Sequence, residues 1–375
     1  MASSVSQQGQ LDLLRREYLQ LVEIEHIRWP DAALLKTADT QAWIYEKLID
    51  RDMLQSPPPD RYQVRFLKSL VSKIESAIED PEEEVRHYLH FLSAFSYPIS
   101  LHEISEDLIF RLSTLLSSKL PSDAFAAQQR VFVTYAFPNN PSSNEVPDER
   151  TVTILESRSV LASAGSTGLR TWESGLHLGK FLSTAEGIAT VRGKNVLELG
   201  AGTGLLSILC AKHLGASRVT ATDGDEAIVD SMRDNVFING VDAGASSTSV
   251  ECAALKWGFP TDATAFEEDY GLGKLDVVLA ADVTYDKRLH LPLVSTLSEL
   301  FDIRPSLQVL IAAAVRNEQT FEAFVNACKR NNLGLADNDF EMVPIELQDG
   351  PFYSAAPIRI LTITRSQERG DPFKF

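Results

Sequence analysis

From Leu11 to about residue 120 the apolar positions recur at helical spacing. Leu11, Leu14, Tyr18 and Val22 form one stripe, and Phe66, Leu67, Leu70, Val71 and Ile74 form a second within Tyr62–Ile78. Residues three and four apart share a helix face, so each run predicts a helix with one buried side. A third helix is expected from Asp80-Pro81, where proline suits the first turn and Glu82, Glu83 and Glu84 favour the positive end of the helix. Its stripe is Val85, Tyr88, Leu89 and Leu92, and a fourth helix is expected over Asp107–Leu116. Ser56-Pro57-Pro58-Pro59-Asp60 is a loop between the first two.

The pattern then changes. Phe132–Phe137 and Thr151–Leu155 read as strands around the turn-rich Pro138–Asn144. From Lys194 onward short apolar strands alternate with helical stretches. Strands are expected at 195–199, 218–223, 248–253, 275–281 and 307–315, with a helix at Glu226–Ile238 closed by Asn239-Gly240. That alternation predicts a parallel sheet covered on both faces. Segments 340–347 and 357–364 are expected to add an antiparallel hairpin at its edge. The expected organisation is a helical region at 1–125 and an α/β domain at 126–375 that includes an N-terminal β extension.

Composition narrows the partners. The chain has 375 residues, with 35 Lys and Arg against 52 Asp and Glu, for a formal charge of −17. Such a surface repels phosphate backbones, so nucleic acid is a poor partner, and approach by a basic protein or simple solubility both fit. Cys210, Cys252 and Cys328 are scattered in apolar stretches and read as small buried hydrophobes. Neither they nor the seven histidines have metal-ligand spacing. The start of the chain has no signal-peptide core, and apolar runs such as Val309–Val315 are too short to span a bilayer. A cytoplasmic protein without a membrane segment is expected.

The chemistry concentrates at Asn195–Gly204. A short apolar strand ends in Glu198 and Leu199, and glycines follow at 200, 202 and 204 before a helical run from Leu205 to Leu214. Strand, tight glycine turn and helix open a nucleotide-type βαβ unit. The third glycine comes one residue earlier than in the dinucleotide fingerprint Gly-x-Gly-x-x-Gly. The next strand ends in Asp223, placed to accept hydrogen bonds from ribose hydroxyls. The strand Asp276–Ala281 delivers Asp282 to the same sheet edge, where Ala280 and Ala281 leave room for a flat base. Asp282 could equally be a turn or helix-capping acid. Trp257 and Trp172 could stack on a cofactor or be core aromatics.

This glycine loop resembles motif I of the seven-β-strand methyltransferases, which bind S-adenosylmethionine. Thr167–Leu178, the glycine loop, Leu255-Lys256-Trp257-Gly258 and Ala281-Asp282-Val283-Thr284-Tyr285 occur in that order. Together they resemble the family-16 protein-lysine methyltransferases, whose signature is Asp-x-x-Tyr after strand four, over roughly Thr151–Arg365. The resemblance implies a Rossmann-like seven-strand sheet, mostly parallel, with an antiparallel edge hairpin. It implies cofactor contacts around Trp172, Glu198, Gly200, Ala201, Gly202, Gly204, Asp223, Trp257 and Ala281, and a lysine-binding edge at Asp282 and Tyr285. Amino-methylating relatives that act on nucleic-acid bases carry Pro-Pro and an aromatic there, and this chain has Asp-Val-Thr-Tyr. Tyr62–Leu70, with Thr167–Glu173, resembles the eukaryotic elongation factor 2 lysine methyltransferases, which add a helical N-terminal region. Ser174-Gly175 departs from the small alanines usual there.

The implied activity is S-adenosylmethionine-dependent methylation of a lysine on elongation factor 2, by a protein expected to be monomeric and to have no metal site. Alternatives are methylation of another protein or of a small molecule, or a cofactor-binding assembly factor without transfer activity. Asp282 is expected to orient the amine, or to relay its proton.

Overall fold

The computed structural model describes residues 6–78, 104–126, 128–137, 149–158, 167–244, 248–259, 266, 270, 275–354 and 356–365. The expected helix from Asp80 and the turn-rich Pro138–Asn144 lie outside them. The described residues group into two compact units. One comprises the helical residues up to Ala126 with Val131–Thr134, and the other comprises Gln128–Arg130 and the chain from Tyr135 onward.

The first unit is built on helices Gln7–Leu19, Asp60–Ile78 and Glu106–Ser117, with shorter turns between. The expected stripes form its core: Leu14, Tyr18, Phe66, Leu67, Leu70 and Ile74 are fully buried. Tyr18 packs its ring 4.4 Å from Phe66. Tyr62 donates to the carbonyl of Val22 at 2.7 Å. Buried Glu17 is paired with Arg28 at 2.5 Å, which gives that carboxylate its partner away from water.

Strands β1 (Arg130–Phe137) and β2 (Arg150–Ser157) form a two-stranded sheet. The main sheet has seven strands in the order β5-β4-β3-β6-β7-β9-β8. They are β3 (Asn195–Leu199), β4 (Arg218–Asp223), β5 (Val250–Ala254), β6 (Val277–Ala281), β7 (Gln308–Ala314), β8 (Leu333–Asn338) and β9 (Ile358–Arg365). Strands β3 to β7 pair in parallel, and β9 runs antiparallel to both β7 and β8. Strand β3 is central, with β4 on one side and β6 on the other, so the order reverses at its carboxyl end. Such a switch point opens a crevice for ligands. Val196, Leu197, Val278, Leu279, Val309 and Ile311 are buried on both faces of the sheet.

Two elements depart from expectation. The hairpin partner of β9 is Leu333–Asn338, not 340–347. The latter carries only a 3₁₀ turn at Ile345–Leu347. Pro344 has no N–H to give a ladder, whereas Leu333–Asn338 pairs residue for residue with Arg365–Ile360. The helix after the glycine loop runs from Leu205 to Leu209 and then widens into a π turn over Cys210–Leu214. Among the described residues no helix is long and apolar enough to cross a membrane.

Candidate active site

A cavity of about 850 Å³ opens at the switch point, lined entirely by the second unit. The glycine loop forms its floor. Gly200 and Gly202 have φ of +67° and +55°. A Cβ on Gly200 would lie 3.0 Å from Val283 and 3.2 Å from the Trp257 ring, and one on Gly202 would lie 3.2 Å from the carbonyl oxygen of Gly168. These positions need both the left-handed backbone and the missing side chain.

Three attachments hold the loop. Glu198 is 3% exposed and accepts from the amide and hydroxyl of Ser207, at 2.9 and 2.5 Å. Burial pushes its carboxyl up to about 7, although the Ser207 bonds pull the other way. Asp223 accepts from the Gly202 amide at 3.1 Å and the Asp225 amide at 3.2 Å. Partial burial raises its carboxyl, and these amides oppose the rise. Asn235 donates to the carbonyl of Thr203 at 3.0 Å.

A further support was not evident in the sequence. The Thr203 hydroxyl meets that of Thr171 at 2.9 Å. Buried Glu156 on β2 accepts from the Thr171 amide at 2.9 Å and from the Tyr135 hydroxyl at 3.0 Å. Strand β2 thereby fixes the segment that carries Trp172.

Ten of the residues singled out in the sequence line the cavity. Trp172, Glu198, Gly200, Ala201, Gly202 and Asp223 lie around the loop, and Trp257, Ala281, Asp282 and Tyr285 on the walls. Gly204 does not line it. With φ +81° it is the N-cap of the following helix, and a Cβ there would strike Met232 at 2.8 Å. The turn needs a glycine there.

The fourth-strand edge is the most charged part of the wall. Asp282 has φ +54°, unusual for a residue with a side chain. It is not the N-cap of the helix that follows it; Asp286 is, accepting from the Arg288 amide. The Asp282 carboxylate instead faces Arg316, with Oδ1 3.2 Å from Nη1 and Oδ2 3.5 Å from Nη2. Backbone amides of Ala314 and Ser174 each lie 3.4 Å from one of its oxygens. Arg316 also donates to Glu173 at 2.8 Å, and its guanidinium sits 5.4 Å from the centre of the Trp172 ring. The Trp172 Nε1 donates to the Thr167 carbonyl at 2.9 Å, and the Tyr285 hydroxyl meets that of Thr167 at 3.2 Å. Arg316 and Glu173 were not singled out. The signal was available, because Arg316 follows β7 as Asp282 follows β6, at the same sheet edge.

These features suit an adenosyl sulfonium cofactor. A flat base finds the Trp257 face beside Gly200 and small residues at Ala281, and Trp257 Nε1 is buried with no partner. Asp223 keeps lone pairs for ribose hydroxyls beyond the two amides it already accepts.

The sheet order and the loop at its switch point define the seven-strand methyltransferase class. The lysine methyltransferase family matches residues 148–331. The chain is 41% identical to protein-lysine N-methyltransferase EFM3 of Chaetomium thermophilum over 93% of its own length and 96% of the relative's. It is 30% identical to EFM3 of Saccharomyces cerevisiae, covering 57% of this chain and 66% of that one. It is 31% identical to human protein-lysine N-methyltransferase EEF2KMT, covering 53% and 59%. The chain belongs to this family of protein-lysine N-methyltransferases, and its methyl donor is S-adenosylmethionine.

Proposed function

We propose that the enzyme methylates a lysine of translation elongation factor 2, with the amine delivered to the wall formed by Asp282 and Tyr285. The observation that carries the substrate is the similarity over 93% of the chain to a protein-lysine methyltransferase, which takes in the helical region as well as the transfer domain. The relatives named EEF2KMT point the same way. In this reading residues 1–125 serve recognition of the protein substrate and 126–375 carry the transfer. The enzyme works as a monomer in the cytoplasm.

The cofactor supplies a methyl group on a positively charged sulfur. Trp257 and Ala281 would flank its base, Asp223 would accept from its ribose, and Gly200, Ala201 and Gly202 would leave room for its amino-acid part. Trp172 closes the cavity on the side of Arg170 and Arg316, and Glu198 fixes the loop from beneath. The lysine must arrive as a neutral amine, although its reference pKa is about 10.4. Its nitrogen lone pair would be the acceptor of that methyl group, and the proton left on the methylated nitrogen would pass to water. Asp282 orients the nitrogen for in-line attack. With Arg316 and two amides around it, this carboxylate is an anchor and not a strong base.

The test is a transfer assay with isotope-labelled S-adenosylmethionine on elongation factor 2 from a strain lacking the enzyme, followed by peptide mapping. Wild type should label one lysine. Asp282→Asn, which suits the left-handed backbone, should lower transfer at least a hundredfold and keep cofactor affinity within about threefold. Label only on another lysate protein would refute the assigned substrate. A folded Asp282→Asn that fails to bind cofactor would refute the assigned role.

A further inference from the structure

We propose that Arg316 is a positioning residue that neutralises the Asp282 edge so that the substrate lysine enters as a free amine. The inference rests on the reading above that seats the amine at Asp282.

A bare carboxylate beside the reacting nitrogen has two opposed effects. It can hold the amine by a hydrogen bond, but it also favours the ammonium form, which has no lone pair to react. Asp282 is only 9% exposed in its side chain, so its field is poorly screened by water. Arg316 meets both of its oxygens and also binds Glu173. It thus spans two carboxylates, at the end of β6 and in the first turn of the helix Glu173–Leu182.

The other groups on this side do not replace it. Arg170 is turned to Glu173, at 3.6 Å, and to the Trp172 ring, at 5.0 Å. Tyr285 is engaged by Thr167. Glu198, Asp223, Asp225 and Lys256 line the cavity at the glycine loop and beyond β4 and β5. Around Asp282 the balance is therefore two carboxylates against two guanidiniums. Removing Arg316 leaves one negative charge in excess beside the amine. That charge raises the pH at which lysine loses its proton.

The measurement is kcat against pH from 6.5 to 10, with saturating cofactor and elongation factor 2, for wild type, Arg316→Gln and Arg316→Lys. Cofactor affinity is followed by calorimetry. For Arg316→Gln the midpoint of the rising limb should move up by one unit or more. Its kcat at pH 7 should fall tenfold or more and recover towards wild type near pH 9.5. Arg316→Lys keeps the charge and should hold the midpoint within about 0.3 units. A uniform loss at every pH in Arg316→Gln, or a midpoint shift as large in Arg316→Lys, would overturn the proposal. Should Arg316→Gln not fold, the proposal stands or falls on Arg316→Met read in the same way. Failure of the underlying reading shows separately, as full transfer by Asp282→Asn.

Discussion

Gly202 and Gly204 are two residues apart and do different work. Both have positive φ, but a Cβ on Gly202 would face the cavity-side carbonyl of Gly168, and one on Gly204 would press on Met232 behind the loop. Gly202→Ala should therefore weaken S-adenosylmethionine binding about tenfold or more by calorimetry, in addition to a cost in backbone strain. Gly204→Ala should cost about 1–3 kcal/mol in urea unfolding through backbone strain, while the folded fraction binds cofactor nearly as wild type. The glycine spacing in the sequence revealed the turn and not this division, because both demands select the same residue type. Asp282, Asp223 and Trp257 were legible from strand ends alone. Arg316 also follows a strand end, but its role is set by Asp282 and Glu173, which lie 34 and 143 residues earlier.

At the scale of elements, β3 and the helix that follows are locked by one buried carboxyl. Glu198 sits on the strand and Ser207 on the helix. Burial raises the folded carboxyl from 4.5 to about 7. For an acid the sign is fixed. Between those values the folded protein holds a proton that the unfolded chain has lost, so stability falls as pH rises from 4.5 towards 7. Glu198→Gln removes that dependence. Relative to wild type, the variant should gain about 2 kcal/mol between pH 5.5 and 8.5 in cofactor-free urea unfolding. A constant difference across that range would show that Glu198 does not titrate there. Apolar period placed β3, β4, β6 and β7 because a parallel strand buried on both faces has a short continuous apolar run. It failed for the edge hairpin. There Leu333–Asn338 is half polar, and the more apolar 340–347 is disqualified by Pro344.

In the second unit as a whole, the segment between β8 and β9 is fastened back onto the helix Glu173–Leu182 by a buried histidine. His177 is fully buried. One ring nitrogen lies 2.7 Å from the Tyr353 hydroxyl and the other 3.2 Å from the Phe340 carbonyl. These partners are 176 and 163 residues away, a distance no local pattern reports. Both are held by packing as well, since the His177 ring centre is 5.1 Å from that of Phe340 and 6.0 Å from that of Tyr353. Burial lowers the imidazole from 6.5 to about 4, mainly by desolvation of the charged form. The unfolded chain then takes up a proton near pH 6.5 that the folded one refuses, so this group removes stability as pH falls from 6.5 towards 4. Its sign is opposite to that of Glu198, and the two limbs overlap between pH 4.5 and 6.5. His177→Gln can still meet Tyr353 and has no proton to gain. The advantage of wild type over this variant should therefore shrink by about 1.4 kcal/mol between pH 7.5 and 5.5 in paired urea titrations. An unchanged difference would mean that the fastening opens to water before the histidine titrates. In that case the segment Phe340–Tyr353 should lose amide protection ahead of β3 and β6 in hydrogen exchange at pH 5.5.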